Sequence, residues 1–178
     1  MVIRRAILND IGPIMELVKA VVPLMNAAGN WQWDDTYPNP AAFEKDISLQ
    51  QLWVADIEGA IAGIAAITTD QDAEYAQVGW DLEETAIVTH RLAVSPDHQG
   101  KGIAVALLQQ AEKVALDRGI PVLRIDTNSE NEATQRLFPK LGYEYAGEID
   151  LAFRPGLRFY CYEKRLIGNI LNKKTPSF

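Results

Sequence analysis

Gln99-Gly100-Lys101-Gly102-Ile103-Ala104 stands between an apolar run that ends at Val94 and a helical pattern that opens at Ile103. The run before it, Ala86-Ile87-Val88-Thr89-His90-Arg91-Leu92-Ala93-Val94, is rich in β-branched residues and stops at Ser95-Pro96-Asp97, a strand followed by turn chemistry. The run after it sets Ile103, Leu107, Leu108, Ala111, Val114 and Ala115 on one helical face and ends at Gly119. A strand, a glycine-bearing loop and a helix therefore follow one another. Gly100 and Gly102 carry no β-carbon to hold an anion away from the backbone, and the amides of residues 100–104 lead into the positive end of the helix. With Lys101 beside them they read as a pyrophosphate cradle. A glycine turn that only caps the helix is the simpler alternative, because two glycines alone are a weak signal.

Spacing excludes two common phosphate motifs. A Walker loop needs Ser or Thr after Gly-Lys, where this chain has Gly102, and a dinucleotide fingerprint needs a small residue where it has Val105. What remains is Gln99-x-x-Gly102-x-Ala104, preceded by Leu92-Ala93-Val94-Ser95-Pro96 and followed by Asn131-x-x-Thr134 and Leu137-Phe138-Pro139-Lys140-Leu141-Gly142-Tyr143. Over about residues 86–145 this pattern resembles the GNAT family of N-acetyltransferases. The resemblance implies an α/β (α+β) fold whose central, mostly antiparallel mixed sheet of about seven strands is flanked by helices. It also implies acetyl-CoA as cofactor.

The 178 residues, 48% of them hydrophobic, suffice for one core that buries roughly two-thirds of the unfolded surface. A single domain is expected over 1–166, with 167–178 as a tail without a compelling pattern. No run approaches the roughly 20 apolar residues of a membrane span, and the start is too briefly apolar for a signal peptide, so a cytoplasmic protein without membrane association is expected. One cysteine, Cys161, forms no internal disulfide, and two histidines without a Cys partner suggest no metal cluster. The net charge of −7 disfavours nucleic acid and suits an amine-bearing substrate; a second copy of the chain, as a homodimer, is a candidate partner.

Along the chain, Val2–Arg5 reads as a strand, Asn9-Asp10 as the cap of a helix that fades by Asn26, and 40–48 as a second helix. Leu52–Ile57 and Ile61–Ile67 form a hairpin around Glu58-Gly59. The acidic run 69–84 reads as a solvated loop. Val122–Thr127 is a strand; Ser129-x-x-Glu132 has capping-box form for a helix running toward Leu141; Tyr143–Ile149 and Leu157–Lys164 form a terminal antiparallel pair.

The resemblance assigns roles. Pantetheine would lie beside Leu92-Ala93-Val94, whose amides could polarise the thioester carbonyl. Asn131 would bond the pantetheine or a water, or serve only the helix start. Phe138, expected at the cofactor, stands where many members carry a tyrosine that protonates the departing thiolate. An alkylammonium of pKa near 10 leaves only about one molecule in a thousand nucleophilic at neutral pH, so a general base helps. Asp126 matches the glutamate base of ribosomal-protein alanine acetyltransferases, His90 a water-relay histidine of arylalkylamine acetyltransferases, and Glu84 lies ahead of the same strand. The segment with Trp31, Trp33, Asp34, Asp35 and Tyr37 reads as the acceptor side, or as a packed plug over the core. The expected reaction is transfer of acetyl to a primary amine of a small molecule or peptide by direct attack. The alternatives are a non-catalytic acetyl-CoA-binding module and an acyltransferase that uses a different acyl-CoA.

Overall fold

The computed structural model describes residues 1–166, and the expected tail at 167–178 lies outside them. By contacts the chain forms two compact units, Met1–Thr68 with Thr89–Gln110, and Thr69–Val88 with the chain from Ala111. Seven strands make one sheet in the order β1-β2-β3-β4-β5-β7-β6.

In the first unit, β1 (Val2–Arg5), β2 (Leu52–Ile57) and β3 (Ala60–Thr68) form antiparallel neighbours. The hairpin turn takes Glu58 and Gly59 to φ +52° and +88°, the paired left-handed geometry that a two-residue turn requires, and Asp56 Oδ1 accepts the Gly59 amide at 2.7 Å. Two helices, α1 (Ile11–Ala27) and α2 (Pro40–Ser48), bury Ile14, Leu17, Val18, Val22 and Phe43 in one core with Leu52, Val54, Ile64 and Ala66. Ile11, Met15 and Val21 on α1 are only partly buried. The unit also contains β4 (Ile87–Val94) from Thr89 onward and the first half of α3 (Ile103–Arg118).

One close approach seats α3. A β-carbon on Gly63 would lie 2.5 Å from Ile103 Cγ2, 3.1 Å from Leu107 Cδ1 and 3.2 Å from the Ala93 carbonyl oxygen. A branched side chain on a helix has essentially one χ1 rotamer, so Ile103 cannot swing aside. Glycine at 63 is what lets the start of α3 lie directly on β3.

In the second unit, β5 (Val122–Asn128) runs parallel to β4, with Ile87 opposite Leu123 and Val88 opposite Arg124. The antiparallel pair β6 (Glu144–Ile149) and β7 (Phe159–Arg165) follows, and β7 pairs with β5 along its whole length. Between β5 and β6 lies α4 (Glu132–Lys140). The capping box expected at Ser129 is not what starts this helix: Asn131 is the N-cap, and its side-chain oxygen accepts the Thr134 amide at 3.3 Å. Ser129 lies two residues too early, its amide bound to the Arg158 carbonyl. The acidic run 69–84 is also more than a solvated loop. It contains a 3₁₀ turn at Ala73–Val78, and Tyr75 is fully buried with Ile149, Phe159 and Cys161.

Asp10 occupies the cap position of α1, yet its carboxylate bonds no amide of that helix. It accepts from Arg4 at 2.8 and 2.9 Å and from the Ile7 amide at 2.8 Å, and Arg4 also reaches Asp56 at 3.0 Å. The Arg4 guanidinium holds the Asp10 carboxyl below its ordinary range. A depressed folded-state pKa stabilises the fold above the unfolded value of about 4 and stops doing so as pH falls through the folded value. Asp10→Asn is therefore expected to cost about 1–2 kcal/mol at pH 7. In denaturant titrations the gap between the two proteins should narrow as the pH falls below the unfolded value of about 4 and close once it has passed the lowered folded-state value.

Candidate active site

In the first unit the chain leaves β4 through a 3₁₀ turn at Pro96–His98, anchored by the Ser95 amide on the Ala62 carbonyl at 2.8 Å. Gln99 is extended, and Gly100 and Gly102 take φ +76° and +73°. A β-carbon at either glycine would meet no atom within 4 Å. Packing does not demand glycine here; the left-handed backbone does, and the space above the loop is open. The first turn of α3 closes with the Ala106 amide on the Gly102 carbonyl at 3.0 Å, so the amides ahead of it have no intrahelical acceptor. Lys101 is exposed beside them, while Ile103 is buried and Ala104 partly so. Backbone donors, one mobile cation and an open approach fit a pyrophosphate.

Immediately upstream, Ala93 is buried and Leu92 and Val94 are half-buried. Arg91, just before them, takes φ +53° within the strand. Strand alternation is interrupted there, so parity does not carry from His90, which is half-buried on β4, to Leu92.

The expected acceptor segment divides. Trp33 is 3% exposed and belongs to the core, whereas Trp31 is 55% exposed. Asn26 Nδ2 donates to the carbonyls of Asn30 and Trp33 at 3.0 and 2.9 Å, which holds the turn. Asp34 Oδ1 accepts from the Thr36 amide, the Thr36 hydroxyl and the Tyr37 amide at 2.8, 2.7 and 3.0 Å, an Asx turn that shapes the segment. Asp35 is exposed, and the half-buried Tyr37 hydroxyl accepts from Arg91 Nη1 at 3.1 Å.

In the second unit Asp126 lies on β5 opposite Cys161 of β7. Tyr75 donates its hydroxyl to Asp126 Oδ2 at 2.6 Å. Burial, and after it the Asp126 charge, pushes the Tyr75 hydroxyl well above its ordinary pKa, so it stays a donor at every physiological pH. The ring meets Trp80 edge to face, with centroids 5.1 Å apart. Cys161 is buried, and burial followed by the Asp126 charge raises its thiol far above the range of a reactive thiolate.

Arg124, also on β5, is 1% exposed. It donates to Glu163 at 2.9 Å, to Gln71 at 2.6 Å, to the Asp81 carbonyl at 3.0 Å and to Glu84 at 3.2 Å, and it lies over the Trp80 ring. Glu84 accepts from Arg165 as well, at 2.6 Å, and that bond holds its carboxyl below the usual range. Its carboxylate is thus spent on fixing the segment between β3 and β4. Asn131 caps α4, and Thr127 and Thr134 share a hydroxyl bond of 2.6 Å. Phe138 is buried against Tyr143 and Tyr162.

Tyr75, Arg124 and Arg91 are the residues that sequence reasoning passes over. A signal for the first exists: Tyr75, Val78, Trp80 and Leu82 are too apolar a set for a wholly solvated run. None marks the other two.

The profile of the acetyltransferase (GNAT) family matches residues 18–143. A GNAT-family acetyltransferase from Streptococcus agalactiae 2603 is similar at 30% identity and a TM-score of 0.78, over 92% of this chain and 94% of its own. At 23% identity and a TM-score of 0.69, a Salmonella typhimurium protein solved with its cofactor acetyl-CoA shares the fold over 93% of this chain and 94% of its own. A ribosomal-protein-alanine N-acetyltransferase from Brucella melitensis does so at 20% identity and a TM-score of 0.68, over 93% and 100%. With its strand, glycine-bearing loop and helix inside the matched span, this chain belongs to the acetyltransferase (GNAT) family.

Proposed function

We propose that the protein is an acetyl-CoA-dependent N-acetyltransferase that passes acetyl to a primary amine of a small molecule or peptide by direct attack. One observation carries the reading: two left-handed glycines open onto the unsatisfied first-turn amides of α3. The family, the relative solved with acetyl-CoA and the N-acetyltransferase relative support it. Bound acetyl-CoA supplies an activated acetyl thioester. Residues 99–104 hold its pyrophosphate, and the amides of Leu92 and Val94 are the donors for the thioester carbonyl, each worth about 3 kcal/mol in comparable sites.

Asp126 takes the proton of the ammonium. Tyr75 orients that carboxylate by donating its buried hydroxyl to Oδ2 at 2.6 Å. Phe138 brings no hydroxyl to the departing thiolate; a thiol of pKa about 8.5 leaves without full protonation, so the reaction is slowed rather than blocked. Trp31 and Tyr37 line the acceptor side, where aromatic surface suits an organic cation. No covalent enzyme intermediate is involved, consistent with the buried, unreactive Cys161.

Gly102→Glu puts a carboxylate into the open space above the loop and is expected to abolish acetyl-CoA binding in calorimetry. Wild-type affinity would remove the cradle assignment. Asp126→Asn is expected to lower kcat/KM by about 10²-fold or more with acetyl-CoA affinity retained, and Tyr75→Phe by about tenfold. His90→Gln should cost little. The reverse pattern would move the base to His90, and wild-type protein that binds acetyl-CoA yet releases no thiol with any amine would make the chain a binding module.

A further inference from the structure

Arg91 has no part in the chemistry above, yet three interactions converge on it in the first unit. It is a non-glycine residue at φ +53° in mid-strand, a conformation that persists only where surrounding contacts enforce it. Its Nε and Nη2 donate to the two oxygens of Asp46 at 2.7 Å each, a bidentate pair in which the Asp46 side chain is 3% exposed. Asp46 sits on α2 and also accepts from Gln51 at 2.9 Å, so the carboxylate is rigidly placed. The remaining nitrogen, Nη1, donates to the Tyr37 hydroxyl at 3.1 Å.

A pair serving stability alone would need neither the kink nor the third contact. The kink falls at the residue directly before Leu92-Ala93-Val94, and the third contact falls in the segment that carries Trp31 and the Asp34 turn. One guanidinium therefore ties the strand proposed for the thioester to the segment proposed for the acceptor, with α2 as the fixed point.

We propose that Arg91 is a positioning residue: gripped by Asp46 and gripping the Tyr37 hydroxyl, it sets the backbone of Leu92–Val94 and the 31–37 segment in one arrangement for acyl transfer. The inference rests on the N-acetyltransferase reading. Lysine keeps the charge but cannot make the bidentate pair and reach Tyr37 together.

Arg91→Lys, Tyr37→Phe and the double variant are compared in the full chain. At saturating acetyl-CoA, Arg91→Lys is expected to lower kcat by about ten- to a hundredfold, in line with the cost of small misplacements, while the acetyl-CoA dissociation constant stays within about threefold. Tyr37→Phe should raise the acceptor KM, and the double variant should fall short of the product of the two effects. In ¹⁵N-labelled protein, Tyr37→Phe should also shift the amide resonances of Leu92 and Val94. This readout needs no turnover and stands if Arg91→Lys fails to fold. Amides at 92 and 94 that do not move would overturn the proposal, as would unchanged kcat in both variants. Failure of wild-type protein to acetylate any amine would instead sink the enzymatic reading, leaving the amide shifts to decide whether Arg91 couples the two segments.

Discussion

The seat of α3 on Gly63 is the constraint on which the proposed cofactor site depends. A helix presents its unsatisfied amides to a ligand only where its first turn is held, and here that turn rests on a strand through a contact that no side chain larger than hydrogen could share. Ile103, buried and rotamerically stiff, fixes the helix from one side; the Ser95 amide on Ala62 fixes the chain entering it from the other. The two left-handed glycines between these anchors leave the loop backbone facing open space. Inserting extra methylenes into a packed contact of this kind costs about 1–3 kcal/mol, and at Gly63 the strain would fall on the same turn that supplies the amides.

The second unit solves a different problem, burial of charge. A guanidinium as enclosed as that of Arg124 is tolerable only because Glu163, Glu84, Gln71 and the Asp81 carbonyl all accept from it and Trp80 covers its face. Three of those four acceptors come from the segment between β3 and β4, so charge compensation also orders that segment. It is the segment that delivers the Tyr75 hydroxyl to Asp126. A carboxylate with a fixed rotamer is of more use as a base than one free to rotate.

The strand, loop and helix around residues 86–119 were legible because each carries its own period and the glycines mark the break between them. The hairpin at Glu58-Gly59 and the terminal β6–β7 pair were legible for similar local reasons. Asn131 and Ser129 show the limit: both residue types cap helices, and the choice depended on where β5 ended, which is set by its pairing with β7. Tyr75 was hidden in an acidic run because the partners that draw it inward, Ile149, Phe159 and Asp126, are about fifty or more residues away in the chain. The φ of Arg91 is invisible to pattern reading, since a period-two strand predicts alternation and only the distant Asp46 shows why alternation fails there. Asp34 and Trp33 sat in a stretch whose residue types suited a cation site, while their contacts show one shaping a turn and the other filling the core.

Whether the amide end of α3 receives the cofactor is tested most directly by titrating ¹⁵N-labelled protein with coenzyme A and following every backbone amide. The account predicts that the largest saturable shifts fall on Gly100 to Val105. Saturable binding that leaves those amides unmoved would contradict it.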